Sequence, residues 1–349
     1  MDRHELYMKR CLQLARQGVG YVAPNPLVGA VLVHADRVIG EGYHACYGQA
    51  HAEVNCLNSV KEDDKFAIAA STLYVSLEPC AHFGKTPPCA DLIINSGIKK
   101  VVIGCKDSFS KVDGKGIEKL KQAGTEVVVG VLEKECIELN RRFFCFHNKK
   151  RPYIILKWAQ SSDGLVGQEG RRIAISNELT NRLVHKWRSA ESGIMVGSKT
   201  ALDDNPLLTN RHWTGKNPVR MVSDRYLKLH SGLHLMDNQV PTLVFNLLES
   251  RDTDQMKWVK LKEGTNWIQQ IMDFCYNNGI QSILVEGGPA LTSLFLEEGI
   301  WDEARIITNT RLILENGIAA PRFSGVGLLK SEMILNDKIE WFRPLPSAG

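Results

Sequence analysis

No apolar run in these 349 residues approaches the roughly 20 needed to cross a bilayer, and the polar opening Met1-Asp2-Arg3-His4-Glu5 has no secretory character. No membrane span is expected, and the chain reads as cytoplasmic. Charge of one sign is scarce too: 43 Lys and Arg stand against 39 Asp and Glu, a formal net charge of +4. The basic residues are scattered, apart from short clusters such as Lys149-Lys150-Arg151, so nothing marks a nucleic-acid binder. There is no repeat, heptad or low-complexity stretch, which sets aside solenoids and coiled coils. No Gly-x-Gly-x-x-Gly follows a strand-like segment, so a Rossmann site has no support from its motif. Cysteine is nearly missing from the second half, where Cys275 alone follows eight earlier ones. An odd total of nine in a reducing compartment speaks against disulfides and for metal binding or plain burial.

What is present is ordinary globular material, 44% hydrophobic and 23% charged, long enough for two domains. Apolar spacing predicts a helix from Glu5 to Gln17, a hairpin over Val28–Val33 and Arg37–Gly42, and a helix from His51 to Val60. Strands are expected at Thr72–Ser76 and Val101–Gly104, and helices at Cys89–Asn95 and Gly116–Gln122. The polar, proline-closed stretch His147–Pro152 is the expected domain boundary, giving residues 1–147 and 152–349. Beyond it strands are expected at Tyr153–Trp158, Ser192–Gly197, Val219–Ser223, Thr242–Phe245 and Ser282–Glu286. Helices are expected at Asn177–Trp187, Trp267–Asn277 and Ala290–Glu298. Strand alternating with helix in both halves means an α/β fold twice over.

The strongest chemical signal is His51-Ala52-Glu53 followed by Pro79-Cys80 and by Cys89. Catalytic zinc takes three protein ligands and leaves one position open for water. An imidazole and two thiolates meet that need, with Glu53 two residues along as the proton shuttle. The Pro79-Cys80 step places a thiolate at a strand end or helix start, where N–H dipoles stabilise it. His-x-Glu with Pro-Cys-x-x-Cys is the zinc deaminase signature. Here eight residues, not two, separate the cysteines. His82 within that insert is the rival ligand, and Cys46 and Cys56 are expected to be packing residues.

The run Pro79-Cys80-Ala81-His82-Phe83-Gly84-Lys85-Thr86-Pro87-Pro88-Cys89 resembles the deaminase half of the bifunctional riboflavin-biosynthesis enzymes. Pro24-Asn25-Pro26-Leu27-Val28-Gly29 and Gly42-Tyr43-His44 extend the resemblance. It implies a cytidine-deaminase-like three-layer α/β/α domain acting on a phosphorylated pyrimidine, part of whose enclosure is the insert. One departure follows Asp107: Ser108-Phe109-Ser110 stands where the family has Pro-Asn-Pro.

In the second half the residues alone offer Lys157 and Asp163 at a strand end, the turn Asp203-Asp204-Asn205-Pro206 followed by Arg211, and Val285-Glu286-Gly287-Gly288-Pro289. The last has the physics of a phosphate site, or of a glycine turn capping a helix. These segments resemble the reductase half of the same enzymes, which implies a dihydrofolate-reductase-like α/β domain using NADPH. The resemblance places Gln160, Ala174, Thr200, Asp204 and the run Gly288, Pro289, Ala290, Leu291, Thr292, Ser293 and Leu294 at the cofactor. It places Arg172, Arg188, Leu208, Arg211 and Glu286 at the substrate, where an arginine fork suits a 5′-phosphate. Ala174 stands where the family has tryptophan, and Ser162 where it has leucine.

The whole therefore reads as a zinc-dependent deaminase followed by an NADPH-dependent reductase, acting in turn on one pyrimidine ribotide. Nucleic acid and membrane are not expected partners, and a homo-oligomer is left open. The alternative is a zinc deaminase of another pyrimidine or of a nucleic-acid base, carrying a degenerate, non-catalytic second domain.

Overall fold

Ala30, Leu32, Leu73, Val75, Val101 and Ile103 pack into one buried cluster, whereas Val31, Val33, Tyr74 and Val102 pack into another. Successive strand residues point to opposite faces, so this sheet is covered on both sides. The computed structural model describes residues 2–81, 87–107, 114–171 and 173–345. The chain divides into two units, Met1–Lys150 and Arg151–Gly349.

In the first unit the strands are β1 (Gly29–His34), β2 (Arg37–Tyr43), β3 (Thr72–Leu77), β4 (Lys100–Cys105) and β5 (Glu126–Val129). They lie in the order β2-β1-β3-β4-β5; β1 runs antiparallel to β2 and β3, and β3, β4 and β5 are parallel. The helices are α1 (Arg3–Ala15), α2 (Ala52–Asn58), α3 (Cys89–Asn95), α4 (Lys115–Gln122), α5 (Glu133–Leu139) and α6 (Arg141–Lys149). Asp2 caps α1 by accepting from the His4 N–H at 3.3 Å. Tyr7, Met8, Cys11 and Leu12 of α1 and Cys136 of α5 cover one face of the sheet. Ala52 and Cys56 of α2, Ala90 and Ile93 of α3 and Leu120 of α4 cover the other. The result is a three-layer α/β/α unit.

Two glycines set how closely the layers approach. A Cβ on Gly29 would lie 2.1 Å from the Cys11 carbonyl of α1. On Gly42 it would lie 2.2 Å from the Cys56 nitrogen of α2. Any side chain at either position would push a helix off the sheet.

The second unit is built on β6 (Tyr153–Ser161), β7 (Leu165–Gly167), α7 (Glu178–Ala190), β8 (Gly193–Gly197), α8 (Ser198–Asp204), β9 (Val219–Ser223), β10 (Thr242–Asn246), β11 (Arg251–Asp252) and β12 (Met256–Lys260). It continues with α9 (Trp267–Asn277), β13 (Ser282–Val285), α10 (Pro289–Glu297), β14 (Glu303–Asn309), β15 (Ile318–Ala319), β16 (Val326–Ile334) and β17 (Asp337–Pro344). The main sheet runs β11-β12-β10-β9-β8-β13-β6-β14-β17-β16. From β12 to β14 the neighbours are parallel, and antiparallel pairs close both ends. Ile268, Ile271 and Met272 of α9 and Leu291 and Phe295 of α10 share one core with Ile154, Leu156, Met195 and Ile283. On the opposite face Trp187 of α7 stacks with Arg305 and meets Trp341. This is the dihydrofolate-reductase-like α/β arrangement.

Several elements differ from the sequence expectation. Asp203-Asp204 ends a short helix, α8, and is not a strand-to-loop turn; Asn205 stops it in the left-handed region at φ 40°. Helix α6 runs through His147-Asn148-Lys149, the first half of the stretch read as a polar boundary. Strand β14 escapes the apolar pattern because it buries Glu303 and Arg305, which are paired at 2.7 Å. Strands β12, β16 and β17 escape it because charged residues interrupt them. Among the described residues no helix is long and apolar enough to cross a membrane.

Substituting Gly42→Ala is expected to destabilise the first unit by about 1–3 kcal/mol through overpacking against α2. Denaturant unfolding reads this directly, and an unchanged midpoint would mean that α2 is free to retreat.

Candidate active sites

His51 occupies the N-cap position of α2, extended at ψ 167°, and Glu53 follows in the first turn. The chain between β2 and α2 is tied by Asn55, whose amide donates to the Tyr43 carbonyl at 2.8 Å and to Ala50 at 3.3 Å. His44 donates from Nδ1 to the Ala50 carbonyl at 3.0 Å, which leaves Nε2 to accept from the Asn25 amide at 3.0 Å. Thus the Pro24–Gly29 and Gly42–His44 segments meet beside His51, whose ring lies edge-on to that of His44.

Cys80 lies three residues past the end of β3 and sits on the start of α3. Its Sγ accepts from the Cys89 N–H at 3.3 Å, and its carbonyl from the Ala90 N–H at 3.1 Å. His51 Nδ1 is 3.3 Å from Cys89 Sγ and 3.7 Å from Cys80 Sγ, and the three donor atoms lie within 4.8 Å of one another. A tetrahedral zinc with bonds of about 2.0–2.3 Å separates its ligand atoms by roughly 3.5–3.8 Å. The donors are of the right type, and His51 already stands close to that distance from both thiols, so the site fits zinc. Contact with the Cys89 thiol and His51 draws the Cys80 thiol well below its usual range. Bonding to Cys80, with burial, pushes Cys89 up.

Glu53 is 3% exposed. Burial first, then the neighbouring Cys80, raise its carboxyl to about 7. A carboxyl poised there can both take and give a proton near neutral pH. Its side chain reaches Cys89, so the acid stands beside the ligand cluster.

Sequence reasoning missed Glu78. This carboxylate, 4% exposed, accepts from the N–H groups of Asp107 and Gly114 on one oxygen (3.2 and 3.1 Å). It accepts from Gly116 and Ile117 on the other (2.9 and 3.2 Å). A Cβ on Gly116 would lie 2.0 Å from the Pro79 carbonyl. Glu78 therefore binds the start of α4 against the Pro79-Cys80 turn through backbone donors. Its one signal in sequence is Gly114-Lys115-Gly116, a run with little side chain at the point of approach. His82, the rival ligand, lies outside the described residues, as do Ser108-Phe109-Ser110. Cys56 is buried packing; Cys46 is half-buried.

In the second unit the named segments gather past the C-terminal ends of β8, β13, β6 and β14, which are adjacent parallel strands. Ligands bind at that edge in open α/β sheets. Glu286, whose side chain is 8% exposed, accepts from Arg188 Nε at 2.8 Å and Nη2 at 2.9 Å. Lys157 Nζ lies 3.5 Å away on the same carboxylate. Burial alone would raise Glu286, but Arg188 and Lys157 outweigh it and hold the group at about 2. Arg188 Nη1 also donates to the Thr209 carbonyl at 3.2 Å, and the guanidinium keeps further N–H groups for a ligand. In sequence Lys157 is legible only as a strand-end residue.

The Gly288 N–H donates to Thr200 Oγ1 at 2.9 Å, joining α8 to the start of α10. A Cβ on Gly288 would come within 3.0 Å of that hydroxyl. Pro289 opens the helix without an N–H, and the N–H groups of Ala290 and Leu291 fall outside the helical ladder. This glycine cradle with free helix-start donors fits the phosphates of NADPH. Leu291 and Thr292 turn their side chains into the core, and Thr292 Oγ1 donates to the Gly287 carbonyl. Ser293 and Leu294 lie on the partly covered side, and Asp204 and Ala174 are exposed. Gln160 is engaged on both sides, accepting from Trp158 and donating to Thr308. Leu208 is buried at φ 51°. Arg211 donates from Nη1 to Thr209 Oγ1. Arg172 lies outside the described residues.

The family model of the RibD C-terminal domain matches residues 152–335. That of the cytidine and deoxycytidylate deaminase zinc-binding region matches residues 1–105. The riboflavin biosynthesis protein RibD of Aquifex aeolicus (strain VF5) is 40% identical over 329 residues, covering 92% of this chain and 88% of the relative. RibD of Bacillus amyloliquefaciens is 39% identical over 334 residues, covering 93% and 88%. Among solved structures, the diaminohydroxyphosphoribosylaminopyrimidine deaminase/5-amino-6-(5-phosphoribosylamino)uracil reductase of Thermotoga maritima matches with a TM-score of 0.90 at 35% identity, covering 98% of each chain.

Glu78→Gln turns an amide N–H₂ toward backbone N–H groups and is expected to cost about 1.5–3 kcal/mol. Denaturant unfolding of the first unit checks it. An unchanged midpoint would show that the turn holds its place without the carboxylate.

Proposed function

This chain belongs to the family of the riboflavin biosynthesis protein RibD, and on that premise we propose which residues carry its two reactions and on what substrates. Members are bifunctional: a zinc-dependent deaminase and a reductase. The first unit, through residue 147, deaminates 2,5-diamino-6-ribosylamino-4(3H)-pyrimidinone 5′-phosphate. The second, from residue 152, reduces the ribosyl group of the product to a ribityl chain. The Thermotoga maritima neighbour is named for both activities. The observation that carries the assignment is the convergence of His51, Cys80 and Cys89 beside a buried Glu53.

His51, Cys80 and Cys89 hold the zinc, whose Lewis acidity makes water nucleophilic near neutral pH. Glu53 takes one proton of the attacking water and passes it to the ring nitrogen, then takes the second from the new hydroxyl and gives it to the departing amine. One water is consumed and one ammonia leaves. Burial keeps this carboxyl out of bulk water, so its proton goes to the substrate and not to solvent.

In the second unit bound NADPH would supply a hydride for C1′ of the ribosyl group. Thr200 and the Gly288–Leu294 helix start hold the cofactor, with Gln160, Ala174 and Asp204 bordering it. Arg188 and Arg211 face the 5′-phosphate, Arg172 and Leu208 complete the substrate wall, and Glu286 keeps Arg188 oriented. The substrate is a small ribotide, free of nucleic acid. Nine free cysteines support a reducing, cytoplasmic setting.

The direct assay is ammonia release followed by NADPH oxidation with that substrate; release without oxidation would remove the reductase assignment. Glu53→Gln is expected to retain zinc by metal analysis yet lose deamination by at least about 100-fold, the usual weight of general acid–base catalysis. Full activity in that variant would sink the shuttle role.

A further inference from the structure

Two side chains of α7, one helical turn apart, grip the Leu208–Arg211 loop with opposite polarity. Arg188 donates to the Thr209 carbonyl at 3.2 Å, and His185 Nδ1 accepts from the Arg211 N–H at 2.9 Å. We propose that His185 is a positioning residue of the reductase, which fixes Arg211 for the substrate's phosphate by acting as a hydrogen-bond acceptor toward its backbone. The proposal rests on the assignment of Arg211 and Arg188 to the 5′-phosphate.

The tautomer follows from the partner. A backbone N–H can only donate, so Nδ1 carries no proton and the ring hydrogen sits on Nε2. The surroundings keep it there. His185 is 5% exposed, and burial, then Arg188, Arg211 and His212, lower it to about 4. A charged ring would lose the acceptor and add a cation beside two arginines. The neutral ring instead packs edge-on against His212 at 4.7 Å.

What it holds is not a relaxed loop. Leu208 is buried in the left-handed region, which is strained for a non-glycine residue and persists only where neighbours over-determine it. Past it, the Asn210 N–H is fixed by Asn217 at 2.7 Å and the Arg211 N–H by His185. Arg211 Nη1 reaches back to Thr209 Oγ1 at 2.9 Å. The guanidinium is thus preset before substrate arrives, and ordering it costs less on binding.

The test varies the acceptor alone. His185→Leu keeps bulk and removes the acceptor; His185→Asn restores an acceptor oxygen near the Nδ1 position. Three quantities are measured on the full-length protein: the reductase KM for the deaminated ribotide, the NADPH Kd, and ribose 5-phosphate binding by calorimetry. Deamination in the same chain reports folding. His185→Leu is expected to raise KM and weaken ribose 5-phosphate binding about tenfold, the worth of one hydrogen bond, with NADPH Kd and deamination unchanged. His185→Asn is expected to stay within about threefold of the parent. If leucine keeps the parent KM, or asparagine fails as leucine does, the positioning role is overturned. A parent protein that oxidises no NADPH, yet binds ribose 5-phosphate in a His185-dependent way, would overturn the reductase assignment and leave the positioning role standing. Neither oxidation nor binding would overturn both.

Discussion

Buried negative charge gathered at one end of a sheet is the constraint on which the first unit is built. Glu53, Glu78 and the Cys80 thiol all lie past the C-terminal end of β3 or beside it, and the two carboxyl groups are almost wholly enclosed. Enclosed charge is costly unless paired or hydrogen-bonded. Each group meets that cost differently. Glu78 takes four backbone N–H groups and becomes structural. Cys80 takes the N–H at the start of α3, with Cys89 and His51 beside it, and is left as a thiol suited to a metal. For Glu53, burial and the neighbouring Cys80 outweigh the pull of His51, and the carboxyl rises to about 7, where it suits a proton carrier. One environment yields three roles because the compensation differs.

The second unit meets the same demand with cations. Glu286 is also enclosed, its side chain 8% exposed, yet Arg188 and Lys157 keep it ionised at about 2. Its resting charge orients Arg188, and Arg188 in turn steadies the loop that carries Arg211. Topology makes this contact. Strand β13 arrives late in the chain and enters between β6 and β8, so Lys157, Arg188 and Glu286 meet across sequence separations of 98 to 129 residues. The site exists only once that central strand is in place.

That difference in range decides what sequence could show. The cluster of His51, Cys80 and Cys89 with Glu53 is legible because its determinants are local: two positions at the head of α2, and a proline-cysteine turn running into α3. The strand Val219–Ser223 and the helices Cys89–Asn95 and Trp267–Asn277 are legible because apolar periodicity marks them end to end. Strand β14 is not, since its Glu303 and Arg305 neutralise each other inside the fold and look polar outside it. Glu78 is not, since its partners are backbone N–H groups, which carry no residue identity. His185 is not, since one acceptor nitrogen aimed at one amide leaves no spacing to read.

The family departures in the second unit have a physical answer at one position. Ser162 stands where the family resemblance leads one to expect leucine, a departure that on its own would favour a degenerate module. Its hydroxyl and its N–H both donate to the Leu312 carbonyl, at 2.9 and 2.8 Å. The neighbouring Asp163 accepts from the N–H groups of Leu314 and Glu315. Asn309 bonds the Ile175 carbonyl and caps Arg311 and Leu312. The serine therefore joins a polar staple that pins residues 312–315 to the end of β6. A polar residue with a defined partner is a changed fastening and not a lost one. Nothing in the structure explains Ala174, which is exposed. The Lys157–Glu286–Arg188 cluster is intact, and three enclosed charges held in register with a strongly shifted carboxylate are of the kind that gathers at functional sites.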